Sequence, residues 1–357
     1  MKAVVTTGHG GYERLEYRDV PRPVPAPGEA LVQVLAAGIN NTDINTRIGW
    51  YDATVTTGTS DAARHTRSTG NDGTGSGWRG TVPFPLIQGT DCCGRVVKQE
   101  TDGPGHAGSR VLLRPCCPLP DGDSSERRWL GCDFDGAFAQ FVRVPATEVF
   151  PIHCTWSDAE LGSMPCAYGT AENMLLRARL GAGERVVITG ASGGVGSAAV
   201  QLARLRDADI TAVASPPKFE AVRALGAARL VARDAPVIAT LGEGCADLVV
   251  DTVGGPAFPD LIRLLRRGGR YVTSGAIAGA GVSLDLRTLY LRDLTLIGCT
   301  AWEEGTFPNV ITYIEQGRIR PLVAKTYPLA HIAEAQREFA EKTHVGKLVL
   351  IPPPLTS

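Results

Sequence analysis

The chain has 357 residues, which at roughly 150 residues per domain predicts two domains, each able to bury a core. Its 36 Lys and Arg against 37 Asp and Glu leave a net charge of -1, so no global field draws it to nucleic acid or an anionic membrane. Hydrophobic residues at 43% exclude a disordered chain, while Gly and Pro together make 66 of the 357 residues and imply local uses of glycine.

Met1-Lys2-Ala3-Val4-Val5-Thr6 runs straight into a strand-like segment, and no stretch resembles a signal peptide or reaches the roughly 18 apolar residues of a membrane span. The expected compartment is therefore the reducing cytoplasm, where the nine cysteines stay free. Through residue 155 the pattern is short alternating runs broken by Pro and Gly, as in Ala30–Val34 and Arg110–Leu113, which predicts an irregular β-barrel domain. Within it, 16 of the 29 residues from Asp52 to Gly80 are Gly, Ser or Thr, the composition of a mobile insertion.

From residue 156 to 298 the rhythm changes to strand, glycine, helix, strand. Arg185–Thr189 reads as a buried strand, Val195, Ala199 and Leu202 share one helical face, and Ile210–Ala214 is the next strand. A helix over Lys218–Leu225, a strand at Leu248–Val250, a helix over Ala257–Arg267 closed by Gly268-Gly269, and a strand at Tyr271–Thr273 follow. This alternation predicts an α/β doubly wound parallel sheet of Rossmann type. After Leu294–Ile297, residues 299–357 hold a helix near Ile332–Lys342 and a last strand Lys347–Ile351, expected to return to the first domain.

Gly190-Ala191-Ser192-Gly193-Gly194-Val195-Gly196 lies between the buried strand and the periodic helix. Glycines there let the backbone approach a pyrophosphate, whose charge is met by free N–H groups and the helix dipole. Where an acid about 20 residues on would hold a ribose 2′-hydroxyl, the chain has Ser215 and Lys218, a hydroxyl and an ammonium that favour NADP(H) over NAD(H).

With these features on the page, the chain resembles the medium-chain dehydrogenase/reductase superfamily along nearly its whole length. The matching stretches are Pro27–Glu29, Gly38–Asp43, Gly89–Asp91, Gly136–Ala139, the glycine loop, Asp251–Gly255 and Gly346–Leu350. The resemblance implies a GroES-like catalytic domain beside a Rossmann domain, with the substrate cleft between them. It also places Thr170, Gly254, Gly275, Ile277, Cys299 and Thr300 around the cofactor, and a homodimer is expected.

The superfamily's zinc branch carries a Cys where this chain has Asn40 and a His where it has Thr90; Cys166 falls on the third ligand position and Asp91 on the acid behind it. Catalytic zinc needs three protein ligands, and Cys92-Cys93, Cys116-Cys117 and Cys132 lack the Cys-x-x-Cys spacing of a structural zinc lobe, so no metal is expected. Asn40 resembles the asparagine that zinc-free members hold near the nicotinamide, and Tyr51 falls on the proposed proton donor of enoyl thioester reductases. A Trp50-Tyr51 pair ahead of a polar insertion equally suits simple packing. Trp50, Trp78, Phe138 and Trp302 are candidates to line an apolar pocket, and the six scattered histidines, His65 of the insertion included, flank no motif.

The expected activity is a zinc-independent, NADPH-dependent reduction of a C=C bond conjugated to a carbonyl, or of a quinone, by hydride transfer. Alcohol or aldehyde oxidoreduction is the rival within the superfamily, and a non-catalytic NADPH-binding protein is the rival outside enzymes.

Overall fold

The computed structural model describes residues 1–59, 77–78, 80–99, 106–119 and 126–355. Chain order in the first part is β1 (Lys2–Thr6), β2 (Leu15–Asp19), β3 (Glu29–Gly38), helix α1 (Asn41–Ile48), then β4 (Leu86–Ile87), β5 (Cys93–Gln99) and β6 (Arg110–Leu113). A hairpin of β7 (Cys116–Pro118) and β8 (Arg127–Trp129) follows, then β9 (Phe141–Pro145) and β10 (Val149–Pro151). The long strand β3 is the spine: it pairs antiparallel with β5, with β9 and with the chain's last strand. Its sequence Glu-Ala-Leu-Val-Gln-Val-Leu-Ala-Ala-Gly is accordingly buried over most of its length, as a strand with partners on both edges requires.

Helices α2 (Asp158–Gly162) and α3 (Pro165–Arg177) lead into the second half. There β11 (Arg185–Ile188), α4 (Gly194–Arg204), β12 (Asp209–Ala214), α5 (Phe219–Ala224), β13 (Arg229–Ala232), α6 (Val237–Leu241), β14 (Ala246–Asp251), α7 (Phe258–Leu264) and β15 (Leu265–Thr273) alternate. After α8 (Leu286–Leu291), β16 (Thr295–Gly298) completes a six-stranded parallel sheet of order β13-β12-β11-β14-β15-β16. This is the doubly wound α/β order, with β11 next to β14 where the winding reverses, and ligands of such sheets bind outside the carboxyl ends of the strands at that point. Helix α9 (Thr306–Glu315) packs its Phe307, Val310 and Ile314 into the same core as α3. Strand β17 (Val323–Pro328), α10 (Ile332–Glu341) and β18 (Lys347–Ile351) then rejoin the first sheet through β18 and β3.

One expected helix is shorter than its pattern. The segment Ala257–Arg267 gives α7 only to Leu264, because Leu265 turns extended and Gly268-Gly269 lie inside β15 rather than closing a helix. Leu265 pairs with Ala246 of β14 and Arg266 forms an ion pair with Asp247, tertiary contacts that the helical spacing cannot register. The centre of the glycine-rich insertion, with His65, lies outside the described residues, but both its ends are fixed. Thr59 N–H donates to Ile277 O at 2.9 Å, and Trp78 stacks edge-to-face on Trp129 at 4.7 Å. Among the described residues no helix is long and apolar enough to cross a membrane.

Candidate active site

The parallel sheet delivers the expected cofactor residues to one edge. Gly190, Ser192, Gly193, Gly194, Val195 and Gly196 follow β11, Ser215 follows β12, Gly254 follows β14, Gly275 and Ile277 follow β15, and Cys299 and Thr300 follow β16. Thr170 lies on α3, and Asn40 is the residue before α1. The glycine loop needs its glycines: Gly190 has φ +58° with no room for a Cβ beside the Thr252 hydroxyl, and a Cβ on Gly196 would come within 2.2 Å of Gly190 O. The first N–H groups of α4 have no partner within the helix and are free to meet an anion.

Three lysines from distant segments gather beside that loop. Lys218 Nζ donates to Lys342 O at 2.6 Å and His344 O at 2.7 Å, and Lys342 Nζ donates to Asn41 Oδ1 at 2.9 Å. These partners are neutral, so the charges stand uncompensated among the described residues. Burial foremost, then Lys347 and Lys218, lowers Lys342 to about 7; burial, then Lys342 and Lys218, lower His344 to about 4 against the opposing pull of Glu338. Lys218 is thus a bridge to the chain's last loop as well as a residue at the end of the second strand. Neither Lys342 nor His344 stands out in the sequence, since no local motif marks them.

The third lysine, Lys347, was legible only as part of a family stretch. Its stem crosses Gly194, and the preceding Gly346 N–H donates to Ser192 O at 3.0 Å. Its ammonium reaches Asn40 Oδ1 at 2.5 Å and Asp91 Oδ2 at 2.9 Å. Asn40 Nδ2 donates in turn to Thr90 Oγ1 and Asp91 Oδ2, both at 2.9 Å, and Cys166 N–H donates to Asp91 Oδ1 at 2.6 Å. Asp43, at the third helical position of α1, accepts the Asn40 N–H at 2.7 Å and is pushed by burial up to about 7. The positions Asn40, Thr90 and Cys166 therefore do converge, but on an ammonium–carboxylate pair. An amide already bonded to a cation, a hydroxyl, and a thiol held protonated by burial are a poor donor set for zinc. Among the described residues, no group of three His, Cys, Asp or Glu side chains has metal-binding geometry.

Tyr51 lies just past the end of α1 and bonds back to it. Its hydroxyl donates to Thr42 Oγ1 at 3.2 Å, and its ring meets Trp50 and Trp78 edge-to-face at 5.6 and 5.5 Å. Burial raises the phenol further above its ordinary range, so it stays protonated. Trp78, Trp129 and Trp302 continue the row at centroid spacings of 4.7 and 5.4 Å. Trp50, Trp78 and Trp302, expected as pocket-lining residues, thus belong to one row of ring contacts with Tyr51, joined by Trp129, which sequence reasoning missed. Phe138 does not belong with them: it is fully buried in the barrel core against Gly89. The nine cysteines are free thiols, seven of them buried.

The alcohol dehydrogenase GroES-like domain family matches residues 26–154, and the zinc-binding dehydrogenase family matches residues 194–316. A candidate alcohol dehydrogenase from Sinorhizobium meliloti 1021 superposes with a TM-score of 0.86 at 42% identity, over 99% of this chain and 97% of that one. The chain belongs to the medium-chain dehydrogenase/reductase superfamily. Within the superfamily it is similar to acryloyl-coenzyme A reductase of Metallosphaera sedula, 28% identical over 98% of this chain and 99% of that protein. It is also similar, at TM-score 0.82 and 28% identity over 99% of each chain, to a cobalt- and zinc-bound thermostable alcohol dehydrogenase from Pyrobaculum aerophilum. As a medium-chain dehydrogenase/reductase the chain is an oxidoreductase, and members of the superfamily bind a nicotinamide cofactor. The glycine loop, the free N–H groups of α4 and the lysine cluster fit the phosphates of that cofactor.

Proposed function

We propose that the protein is a zinc-independent, NADPH-dependent reductase of a C=C bond conjugated to a carbonyl, with enoyl thioesters, enones and quinones as the substrate class. The observation that carries this reading is the Asn40–Asp91–Lys347 cluster, which neutralises itself at the place where the zinc branch ligates metal. Likeness to an acryloyl-coenzyme A reductase over the whole chain supports the substrate class. The ammonium groups of Lys218 and Lys342, bonded only to neutral oxygens among the described residues, support a cofactor that brings an extra phosphate.

Bound reduced nicotinamide supplies the hydride that adds β to the substrate carbonyl. The proton for the α carbon comes from the Tyr51 hydroxyl, with Thr42 Oγ1 holding that hydroxyl in place and solvent returning the proton afterwards. Substrate, NADPH and one proton thereby give saturated product and NADP. Ser215 and Lys218 stand at the end of β12 where an acid would repel a 2′-phosphate, while Asn40, Thr170, Gly275, Ile277, Cys299 and Thr300 border the nicotinamide end. The apolar row Trp50, Trp78, Trp129 and Trp302 excludes water from the cleft.

A steady-state panel of enones, enoyl thioesters and quinones with NADPH and NADH tests the reading, alongside zinc content of the purified protein. Turnover of none of them sinks it. Stoichiometric zinc with alcohol oxidation that a chelator abolishes favours the alternative, an alcohol dehydrogenase, which the 42% identical Sinorhizobium protein supports. NADPH binding without turnover of either class favours a non-catalytic cofactor-binding protein. The free thiols suit the reducing cytoplasm, and the open edge of β16, with Leu286, Tyr290, Leu291 and Leu296 exposed beside it, suits a homodimer. Light scattering of the purified chain decides the latter.

A further inference from the structure

The Asn40 amide is planar and nearly symmetric in shape; its two flips exchange an acceptor for a donor. Here one end faces an ammonium, which only donates, and the other faces a carboxylate, which only accepts. A flipped amide would set Nδ2 against Lys347 Nζ and Oδ1 against Asp91 Oδ2, two repulsions in a space where the side chains of Lys347 and Asp91 are 5% and 0% exposed. Both Asn40 amide protons are already spent on Thr90 and Asp91. Lys347 enters this cluster as the first residue of β18, from across the glycine loop.

We propose that Lys347 is the positioning residue of the reaction site: its ammonium supplies, among Asn40, Thr90, Asp91 and Cys166, the positive charge that zinc supplies in the metal branch, and it fixes one orientation of the Asn40 amide. This rests on the zinc-independent reading above. The same lysine ties that orientation to the phosphate loop, because its stem passes Gly194 and the N–H of the preceding Gly346 donates to Ser192 O.

Two measurements test the proposal. The first reads metal, not activity. N40C/T90H adds a thiol and an imidazole to Cys166, completing a three-ligand zinc set. With Lys347 in place that variant stays free of zinc, whereas N40C/T90H/K347M takes up about one zinc per chain. Equal zinc content in the two, whether none or one, overturns the proposal. The second reads kinetics of the NADPH-dependent reduction. Lys347→Met lowers kcat at least about tenfold with KM for NADPH changed little, and Lys347→Arg recovers part of the loss. In an Asn40→Ala background Lys347→Met costs nothing further, since its effect passes through the amide. A loss that persists in that background, or that falls wholly on KM for NADPH, overturns the positioning role.

Removing one partner of a buried pair destabilises the fold, so K347M/D91N, which leaves no unpaired charge, serves as the second variant if K347M fails to fold. It must show the same kcat loss and the same silence in the Asn40→Ala background. Stoichiometric zinc in the wild-type protein, lost together with activity on chelation, is the separate failure of the zinc-independent reading.

Discussion

The two ends of the cleft handle charge in opposite ways. At the reaction end Lys347 and Asp91 cancel one another, and nearly every polar atom around them has a partner within the protein. At the phosphate end Lys218 and Lys342 rest on carbonyl and amide oxygens, and each lowers the proton affinity of its neighbours. A buried cation held by neutral dipoles costs free energy until an anion arrives, whereas a closed ion pair asks for nothing more. The difference is what the proposed reading rests on: cofactor phosphates at the end whose charges are open, and no metal at the end whose charges are closed.

The comparison breaks most easily at the glycine loop. Gly196→Ala puts a Cβ 2.2 Å from Gly190 O, so the loop must open, and we expect NADPH binding to weaken by roughly a hundredfold or more while the barrel core is untouched. Quenching of protein fluorescence by the cofactor measures it; a loss under twofold would mean that the phosphate does not sit there. At the reaction end Tyr51→Phe keeps the ring contacts with Trp50 and Trp78 and removes only the hydroxyl. General acid catalysis contributes about a hundredfold or more, so kcat should fall by that order with binding of NADPH unchanged. An unaltered kcat would leave Tyr51 with the packing role alone.

What the sequence revealed follows the same division by distance along the chain. The glycine loop is one contiguous turn between a strand and a helix, so its spacing was readable and its residues lie where the spacing put them. The lysines were not readable as a cluster, because Lys347 meets Asn40 across 307 positions and Lys218 meets Lys342 across 124. Trp129 was missed for the same reason: it sits on a three-residue strand with no periodicity, and only the fold brings it between Trp78 and Trp302. Phe138 was misassigned because an aromatic beside a family glycine says nothing about which face of the backbone it takes. In this chain that face is the barrel core. The helix that ended early at Leu264 yielded to strand pairing with the adjacent β14, a pairing that begins at Leu265.

Smaller effects sharpen the phosphate end. Lys218→Met removes the ammonium nearest the end of β12, and we expect Kd for NADPH to rise roughly thirtyfold while Kd for NADH rises much less, since a charged hydrogen bond to phosphate is worth about 2 kcal/mol. Equal losses for the two cofactors would assign Lys218 to holding the last loop rather than to recognising phosphate.

Lys342 gives the finest test, because its proton is itself the variable. In the free protein its ammonium titrates at about 7, lowered by burial and by Lys347 and Lys218. A bound phosphate raises that value, so binding draws a proton from solvent whenever the pH lies above the free-protein value. The sign is fixed: below pH 7 the ammonium is already present and affinity is independent of this group, and above it each unit of pH weakens binding. Between pH 7 and 8.5 the expected loss in NADPH affinity is roughly tenfold for one coupled proton. Calorimetry in two buffers of different ionisation enthalpy should report uptake of a proton on binding at pH 8.5. Lys342→Met should bind NADPH more weakly at pH 7 and show a flat profile. A wild-type profile that is already flat would place the phosphate away from Lys342 and leave its charge answered by Asn41 and the Phe339 ring.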